Sequence, residues 1–170
     1  PLFGWAGTIT PELDLNPIFT GATEHPDWTF LLLGRREENP LLPKLRRLPN
    51  VIFAGPCTLS EVPDWLFRCD VLVDLLRRDR WDDGVVSTRL YEYLSTGKPV
   101  VSMLWPDQVE LFPDVVYGAY NDKEFISMCR SALEEAPGFV SQRRQSHGAA
   151  ASWSNRAGEV LQILSTAGLL

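Results

Sequence analysis

The residues VLVDL at 71–75, followed by STRLYEYLSTGKPVV at 87–101, read as a strand, a helix and a second strand. Within the helical part, Leu90 and Leu94 recur at helical spacing, and Ser87 stands where an N-cap is expected. The Gly-Lys-Pro sequence that follows should end the helix just before the next apolar run. Because two strands connected through a helix usually run parallel, this segment predicts part of a parallel sheet.

The same succession of apolar runs and helical segments continues along the chain. The runs are nearly continuous rather than alternating, as parallel strands covered on both faces are. We predict strands at Leu2–Ala6, Phe30–Leu33, Val51–Ala54, Val71–Leu75, Val100–Leu104 and Val115–Tyr120. We predict helices at Leu15–Glu24, after Ser60 as N-cap, after Ser87 and at Asp122–Glu135, and a mostly irregular connection at Arg36–Asn50. The expected fold class is α/β: a Rossmann-like doubly wound sheet of about six parallel strands with helices on both faces.

The composition of the chain excludes several classes of protein. It has 170 residues, of which 45% are hydrophobic and 22% charged, and this fits one soluble domain with a substantial core. The formal net charge of -6 argues against a nucleic-acid partner, because duplex binding depends on Lys and Arg at the phosphates. No apolar run reaches the roughly 18 residues that cross a bilayer.

The cysteines and the first residues of the chain bear on the cellular compartment and on whether the chain is part of a longer protein. Cys57, Cys69 and Cys129 form no CxxC pair, so neither a disulfide framework nor a zinc site is expected. We therefore expect a cytoplasmic protein; a place at the cytoplasmic face of a membrane, through peripheral association of the full protein, stays open. The chain begins at Pro1 without an initiator Met or a signal-peptide pattern, and we expect a piece of a longer protein.

Doubly wound sheets bind ligands beyond the carboxyl ends of their strands, so the loops there are the first candidates for a site. The GxGxxG pattern of dinucleotide sites, the P-loop and the GxSxG nucleophile elbow do not occur. His25 and His147 have no second ligand at metal-binding spacing, so no metal site is expected. The candidate loops are Gly7-Thr8, Gly34-Arg35, Gly55-Pro56, residues 77–86 and Trp105-Pro106.

The start of the helix after Ser87 could bind a phosphate. If Ser87 is the N-cap, the amides of Thr88, Arg89 and Leu90 have no helical partner, and the Arg89 side chain adds a bidentate donor. Glu92 follows one turn later on the face of Thr88, roughly 6 Å along the axis, an offset that suits the hydroxyls of a ribose. The alternative is an ordinary surface helix with no ligand. On spacing alone this alternative is favoured, because any surface helix shows the same polar face opposite a leucine stripe.

Five stretches of the chain together resemble one known family. In order they are HPDWTFLLLG (25–34), LPNVIFAGP (48–56), LSEVPDWLFRCDVLVDLL (59–76), STRLYEYLSTGKPVV (87–101) and SWSNRAGEVLQIL (152–164). They are similar to successive blocks of the carboxyl-terminal, donor-binding domain of group 1-like nucleotide-sugar glycosyltransferases of the GT-B fold. The resemblance covers nearly the whole chain and implies one half of a GT-B fold.

The resemblance also implies roles for individual residues. Glu92 matches the family glutamate that binds the donor ribose, and residues 87–90 match the helix start that holds the diphosphate. Gly55-Pro56 matches the loop that meets the nucleobase, and Gly7-Thr8 matches the loop that approaches the donor phosphates. The expected donor-binding residues are Gly7, Thr8, Arg35, Gly55, Pro56, Ser87, Thr88, Arg89, Leu90 and Glu92, whereas the catalytic residues stay unknown.

The chain departs from the family pattern in two places. Where many relatives have a second glutamate ahead of Glu92, it has Gly84, preceded by Asp82 and Asp83. Where many relatives have an Arg and a Lys after the first strand, it has Thr8 and then acidic residues. The resemblance therefore leaves the donor sugar, the nucleobase and the stereochemical outcome open.

The function that the resemblance implies is sugar transfer. Residues 1–170 are expected to form the nucleotide-sugar-binding domain of a glycosyltransferase, with the acceptor domain absent from this chain. The full enzyme would move a sugar from a nucleoside diphosphate such as UDP to an acceptor, in polysaccharide or glycoconjugate synthesis, without a metal or another cofactor. Its expected partners are the nucleotide sugar and the amino-terminal domain. Two alternatives stay open: a non-catalytic flavodoxin-like regulatory or protein-binding domain, and a nucleotide-sugar epimerase.

Overall fold

A parallel sheet forms the centre of the fold. The computed structural model describes residues 1–75, 86–103, 111–136 and 138–169. The strands are β1 (Leu2–Ala6), β2 (Thr29–Leu33), β3 (Val51–Gly55), β4 (Val71–Asp74), β5 (Val100–Met103) and β6 (Tyr117–Ala119). They lie in the order β3-β2-β1-β4-β5-β6, and every neighbouring pair is parallel. This order confirms the predicted α/β class and the Rossmann-like, doubly wound sheet.

Helices cover both faces of the sheet. They are α1 (Asn16–Glu24), α2 (Leu42–Leu45), α3 (Val62–Arg68), α4 (Thr88–Ser95), α5 (Asp122–Leu133), α6 (Phe139–Ala150) and α7 (Trp153–Thr166). On one face, Phe3 and Trp5 of β1 pack in a core with side chains of α1 and α5. On the other face, Leu72 of β4 packs in a second core with Leu90 and Tyr93 of α4. Among the described helices, none has both the length and the hydropathy to cross a membrane.

One local prediction was wrong. Ser60 is not the N-cap of α3, because the helix begins one residue later than expected, with Glu61 at the N-cap position. The Glu61 carboxylate accepts hydrogen bonds from the Thr58 amide (2.8 Å) and the Thr58 hydroxyl (2.7 Å), which closes the turn ahead of the helix. The segment Arg36–Asn50 is mostly irregular, as predicted, and contains the four-residue helix α2.

Helix α4 is fixed in place by α6 and by its own last turn. Gly148 of α6 lies so close to α4 that a Cβ there would overlap the Ser95 side chain and come within 2.7 Å of the Ser95 amide nitrogen. At the end of α4, Gly97 has a φ of +74°, the left-handed conformation that glycine allows. These features fix the last turn of α4 against α6.

Candidate functional site

Three glycines lie side by side at the carboxyl edge of the sheet: Gly7 follows β1, Gly34 follows β2, and Gly55 is the last residue of β3. The Gly7 amide donates to the Leu33 carbonyl (2.9 Å), and the Gly34 amide donates to the Gly55 carbonyl (2.8 Å). Gly34 has a φ of +130°, and a Cβ at this position would overlap the Gly7 carbonyl. Only glycine therefore allows the loops after β1 and β2 to approach each other this closely.

The loops after β1 and β2 stay paired beyond the glycines. The Ile9 amide donates to the Arg35 carbonyl (2.9 Å), and the Glu37 amide donates to the Ile9 carbonyl (2.8 Å). The side chains of Thr8, Arg35 and Pro56 are exposed here. This pairing fixes the backbone of the loops after β1 and β2 relative to each other. The predicted side chains of Thr8, Arg35 and Pro56 stay exposed to solvent.

The start of α4 has the form that the sequence predicted, with one correction. Ser87 occupies the N-cap position, although its side chain makes no capping hydrogen bond. The amide of Leu90 is not unpaired, because it donates to the Ser87 carbonyl (3.0 Å) in a tight first turn. Within the described part of the chain, the amides of Thr88 and Arg89 have no acceptor. Two first-turn amides, rather than three, are thus left for an anion.

The Arg89 side chain is held at the ends of β1 and β4. Its Nη1 donates to Asp74 Oδ1 at 3.0 Å, and its Cζ lies 4.9 Å from the centre of the Trp5 ring. Its Nη2 would be 3.1 Å from a Cβ placed on Gly7, so this nitrogen faces the loop after β1. The guanidinium therefore lies between an ion-pair partner, an aromatic face and the glycine loop.

Asp74 is a residue of the site that the sequence analysis missed. It is the last residue of β4, is only 5% exposed, and accepts a hydrogen bond from the Ser102 hydroxyl of β5 at 3.5 Å. A carboxylate in a buried strand is costly unless it is paired, and Arg89 is one of its partners. The signal in the sequence was a single charge inside the apolar run VLVDL.

Tyr93 connects α4 to the end of β1. Its hydroxyl accepts a hydrogen bond from the Ala6 amide at 2.7 Å, and its side chain is fully buried. Burial raises the pKa of the Tyr93 hydroxyl well above the ordinary range for tyrosine. The Tyr93 side chain therefore packs in the core and does not provide a surface for stacking.

A cleft of about 480 Å³ opens between α3 and α4 beside the Gly7 loop. Glu92 lies on its rim, exposed, and among the described residues its carboxylate has no hydrogen-bond or ion-pair partner. The rest of the lining is mostly apolar: Ala6, Gly7, Leu59, Val62, Pro63, Leu66, Phe67, Ser95 and Thr96. The cleft combines an apolar wall with one unpaired carboxylate.

A second cleft lies on the other side of Glu92. It is bounded by Thr88 and Tyr91 of α4 and by the corner between α6 and α7. From α7, the Arg156 guanidinium lies 5.8 Å from the centre of the Tyr91 ring. Glu92 therefore stands on a ridge between two clefts, and only the cleft on the α3 side includes the Gly7 loop.

The structure brings some of the predicted site residues together and leaves others apart. Gly7 and Glu92 line the cleft on the α3 side, whereas Arg89 is not part of its lining and lies beside Gly7. Arg35, Gly55 and Pro56 do not line that cleft: Gly55 ends β3, and Arg35 and Pro56 lie on the loops after β2 and β3. Arg77, Arg78, Arg80, Asp82, Asp83, Gly84, Trp105 and Pro106 lie outside the described residues.

The described part of the chain offers no cluster of metal-binding side chains. No group of three or more His, Cys, Asp or Glu residues there is arranged to hold a metal ion. The expectation of chemistry without a metal stays a prediction.

The fold and the site define a class of protein before any comparison is made. A doubly wound sheet in the order β3-β2-β1-β4-β5-β6, with glycine loops facing a helix start, is a Rossmann-like ligand-binding domain. Residues 14–134 match the family described as "Glycosyl transferases group 1". The chain belongs to this family, and the flavodoxin-like and epimerase alternatives are not favoured.

Similar proteins include one curated relative and several solved structures. The relative is the "Putative teichuronic acid biosynthesis glycosyltransferase TuaH" of Bacillus subtilis (strain 168), 33% identical over 137 residues, or 78% of this chain and 34% of that protein. Anabaena HepE, solved in complex with UDP and glucose, has a TM-score of 0.74 at 17% identity, over 97% of this chain and 48% of that one. Sucrose-phosphate synthase from Thermosynechococcus elongatus also has a TM-score of 0.74, at 13% identity, over 98% and 46% of the two chains.

These comparisons also show how much of a relative the chain represents. It spans about a third of the length of TuaH and about half of each of the two solved chains.

Proposed function

We propose that this chain is the donor-binding half of a glycosyltransferase and that it holds a nucleoside diphosphate sugar. The observation that carries the proposal is that Gly7 and Glu92 line one cleft while the Arg89 guanidinium lies beside Gly7, at the carboxyl end of β1. The name of TuaH and the UDP bound by HepE support it. By analogy with TuaH, the full protein would act in the synthesis of a polysaccharide.

The cleft between α3 and α4 suits a nucleoside. Its apolar wall, which includes Val62, Pro63 and Leu66, would cover the hydrophobic face of a base. Glu92 on the rim would accept hydrogen bonds from the two ribose hydroxyls. Gly55 and Pro56, on the loop after β3, would contribute backbone to the edge of the base.

The diphosphate would lie between the glycine loop and the start of α4. The amides of Thr88 and Arg89 point along the helix axis, where the helix dipole favours an anion. The Arg89 Nη2 atom lies beside Gly7 and would donate to a phosphate oxygen there. Thr8, Ser87 and Arg35 border the same region and would complete its polar rim.

In the transfer reaction the bond between the anomeric carbon of the sugar and the terminal phosphate oxygen breaks, and a bond forms between that carbon and the oxygen of an acceptor hydroxyl. The hydroxyl proton passes to a base or to the leaving diphosphate. Negative charge then develops on the leaving diphosphate, and preorganised donors aimed at it stabilise the transition state. The donors assigned to this role are the α4 amides and Arg89, and the proposed chemistry uses no metal. The rest of the protein would supply the acceptor site.

The test is a calorimetric titration of the 170-residue chain with UDP. Glu92→Ala should weaken UDP binding by about tenfold, because it removes the charged acceptor of the ribose hydroxyls. The same substitution should have little effect on the affinity for 2′,3′-dideoxy-UDP, which lacks both ribose hydroxyls. Glu24→Ala, at the end of α1, is the matched control and should leave both affinities unchanged.

Two results would contradict the proposal. If the wild-type chain binds none of UDP, GDP and ADP, it is not a donor-binding domain. If Glu92→Ala weakens UDP and dideoxy-UDP equally, the carboxylate does not contact the ribose.

A further inference from the structure

The Arg89 guanidinium has a described neighbour on each of three sides. Asp74 accepts a hydrogen bond from Nη1 at 3.0 Å, and the Trp5 ring lies 4.9 Å from Cζ. On the remaining side, Nη2 faces Gly7. The Arg89 side chain retains 22% exposure, whereas that of Asp74 retains 7%. Among the described residues, Asp74 and Trp5 thus hold the guanidinium from within the fold, and its Nη2 edge lies beside the loop after β1.

We propose that Asp74 and Trp5 are positioning residues for Arg89, which present the Nη2 edge of the guanidinium to a diphosphate at the Gly7 loop. The inference rests on the proposed function, since it requires that a diphosphate binds there. It adds two residues that do not touch the ligand and that act through a third.

The physical reason for such positioning is the flexibility of arginine. A free arginine side chain samples many rotamers and loses that freedom when it binds an anion. The planar guanidinium has five N–H donors in a fixed fork, so a partner on one edge sets the direction of the other edge. Asp74 binds one edge and Trp5 covers one face, which leaves the Nη2 edge oriented before the ligand arrives. Preorganisation of this kind increases affinity because less freedom is lost on binding.

The packing around Asp74 supports a fixed geometry. Asp74 ends β4 and its neighbour in the sheet is Ser102 of β5, whose hydroxyl donates to Oδ2 at 3.5 Å. Trp5 is 1% exposed and lies on β1, beside β4. Both positioning residues therefore belong to the rigid sheet, whereas Arg89 lies in the first turn of a helix. The sheet fixes the direction of a side chain that the helix supplies.

The competing explanation is that the Asp74–Arg89 pair only attaches α4 to β4. In that case its loss would lower the stability of the domain and leave the preference for diphosphate over nucleoside unchanged. If Asp74 positions Arg89, the prediction is different. Removal of the pair would then lower the affinity for UDP and leave the affinity for uridine, which has no phosphate, unchanged. The ratio of the two affinities therefore separates the two explanations.

The experiment is a double-mutant cycle on the 170-residue chain with Asp74→Asn, Arg89→Ala and both changes together. Calorimetry gives the affinities for UDP and uridine, and thermal unfolding gives the stability of each variant. Asp74→Asn keeps the shape of the side chain but removes its charge. It should weaken UDP binding by about fivefold to tenfold and change uridine binding by less than about twofold. In the Arg89→Ala background it should have no further effect on UDP.

Controls keep the test decisive. Asp27→Asn, in the exposed turn ahead of β2, should leave both affinities unchanged. If Asp74→Asn does not fold, Trp5→Phe replaces it, because the smaller ring loses part of its contact with the guanidinium; it should weaken UDP selectively.

Three results would overturn the proposal. In the first, Asp74→Asn, or Trp5→Phe in its place, binds UDP as tightly as the wild type. In the second, UDP and uridine weaken equally. In the third, Asp74→Asn has the same effect with and without Arg89. If instead the wild-type chain binds no UDP, the proposed function itself fails, and that outcome is visible before any variant is made.

Discussion

At the residue scale, the Arg144 side chain shows how this fold accommodates a buried charge. Arg144 of α6 is 0% exposed, and its Nε donates to the Val115 carbonyl at 2.7 Å. Its two amino groups donate to the Glu135 carboxylate at 2.6 and 2.5 Å, and the Tyr117 hydroxyl donates to the same carboxylate at 2.9 Å. A buried ion pair is tolerated only when its hydrogen bonds are satisfied, and here they are. The pair links α6 to the region of β6.

The ion pair makes stability depend on pH. Burial raises the pKa of the Glu135 carboxyl, but the hydrogen bonds from Arg144 and Tyr117 and the charge of Arg144 outweigh it, so the pKa lies below its usual value. A carboxyl whose pKa is lowered by folding stabilises the native state above its unfolded pKa of about 4.3. That contribution is lost as the pH falls through the lower, folded value.

We predict that Glu135→Gln lowers the free energy of unfolding by about 2 kcal/mol at pH 7, because it leaves the Arg144 charge without its partner. The difference from the wild type should shrink as the pH falls below about 4 and should be lost once the pH passes below the lowered pKa of Glu135, where this carboxyl is also neutral. Urea unfolding from pH 3 to 7 measures it. Glu134→Gln, at the exposed neighbouring position, is the matched control and should change little. A difference that stays constant over the whole range would show that the charge of Glu135 does not contribute.

How much of the site the sequence predicts also depends on individual residues. The pattern around Ser87 predicted the helix start, because a cap and a periodic stripe are local signals. The hydrogen bond from the Leu90 amide to the Ser87 carbonyl was not predictable, since it depends on how tightly the first turn closes. Nor was the partner of Arg89, because the Asp74 pair joins residues 15 positions apart. Such a contact requires the alignment of β4 with α4, which no local pattern specifies.

At the scale of elements, the strands were the most predictable part of the fold. The predicted and observed bounds of β1 are identical, and those of β2 and β3 differ by one residue at one end. Their apolar runs are continuous because both faces of the sheet are covered. The start of β6 was wrong by two residues: Val115 is apolar and buried, but it lies ahead of the strand and its carbonyl accepts from Arg144. Burial alone does not make a residue part of a strand.

The contact between α4 and α6 gives a prediction for two glycines inside helices. A Cβ on Gly148 would overlap Ser95 of α4, whereas a Cβ on Gly158 of α7 would meet nothing within 4 Å. We predict that Gly148→Ala destabilises the chain by about 1 to 3 kcal/mol, because α6 must move away from α4. Gly158→Ala should be neutral or stabilise by up to about 1 kcal/mol, because alanine favours a helix. Urea unfolding of both variants measures the difference, and equal effects would contradict the close packing at Gly148.

At the scale of the whole molecule, the sheet and α7 differ in how they are held. Both faces of the sheet contribute to buried cores, and those cores contain residues of α1, α2, α3, α4 and α5. No residue of α7 is buried. Several of its large apolar side chains are exposed, among them Trp153 (82%), Ile163 (66%), Val160 (55%) and Leu161 (55%). Because burial of apolar surface is the main source of stability, α7 should add little to the stability of the domain.

We therefore predict that a chain ending at Ser152 folds and unfolds cooperatively, with a free energy of unfolding within about 1 kcal/mol of that of the 170-residue chain. Only peripheral contacts are lost, such as the hydrogen bond from Asn155 to the Ala149 carbonyl (3.1 Å) and the approach of Arg156 to Tyr91. Urea unfolding followed by circular dichroism measures the change. A chain ending at Arg143 is the matched control: it also loses the buried Arg144 and the Gly148 contact with α4, and it should be much less stable or unfolded. If the chain ending at Ser152 loses as much stability as the shorter one, α7 is part of the cooperative unit despite its exposed surface.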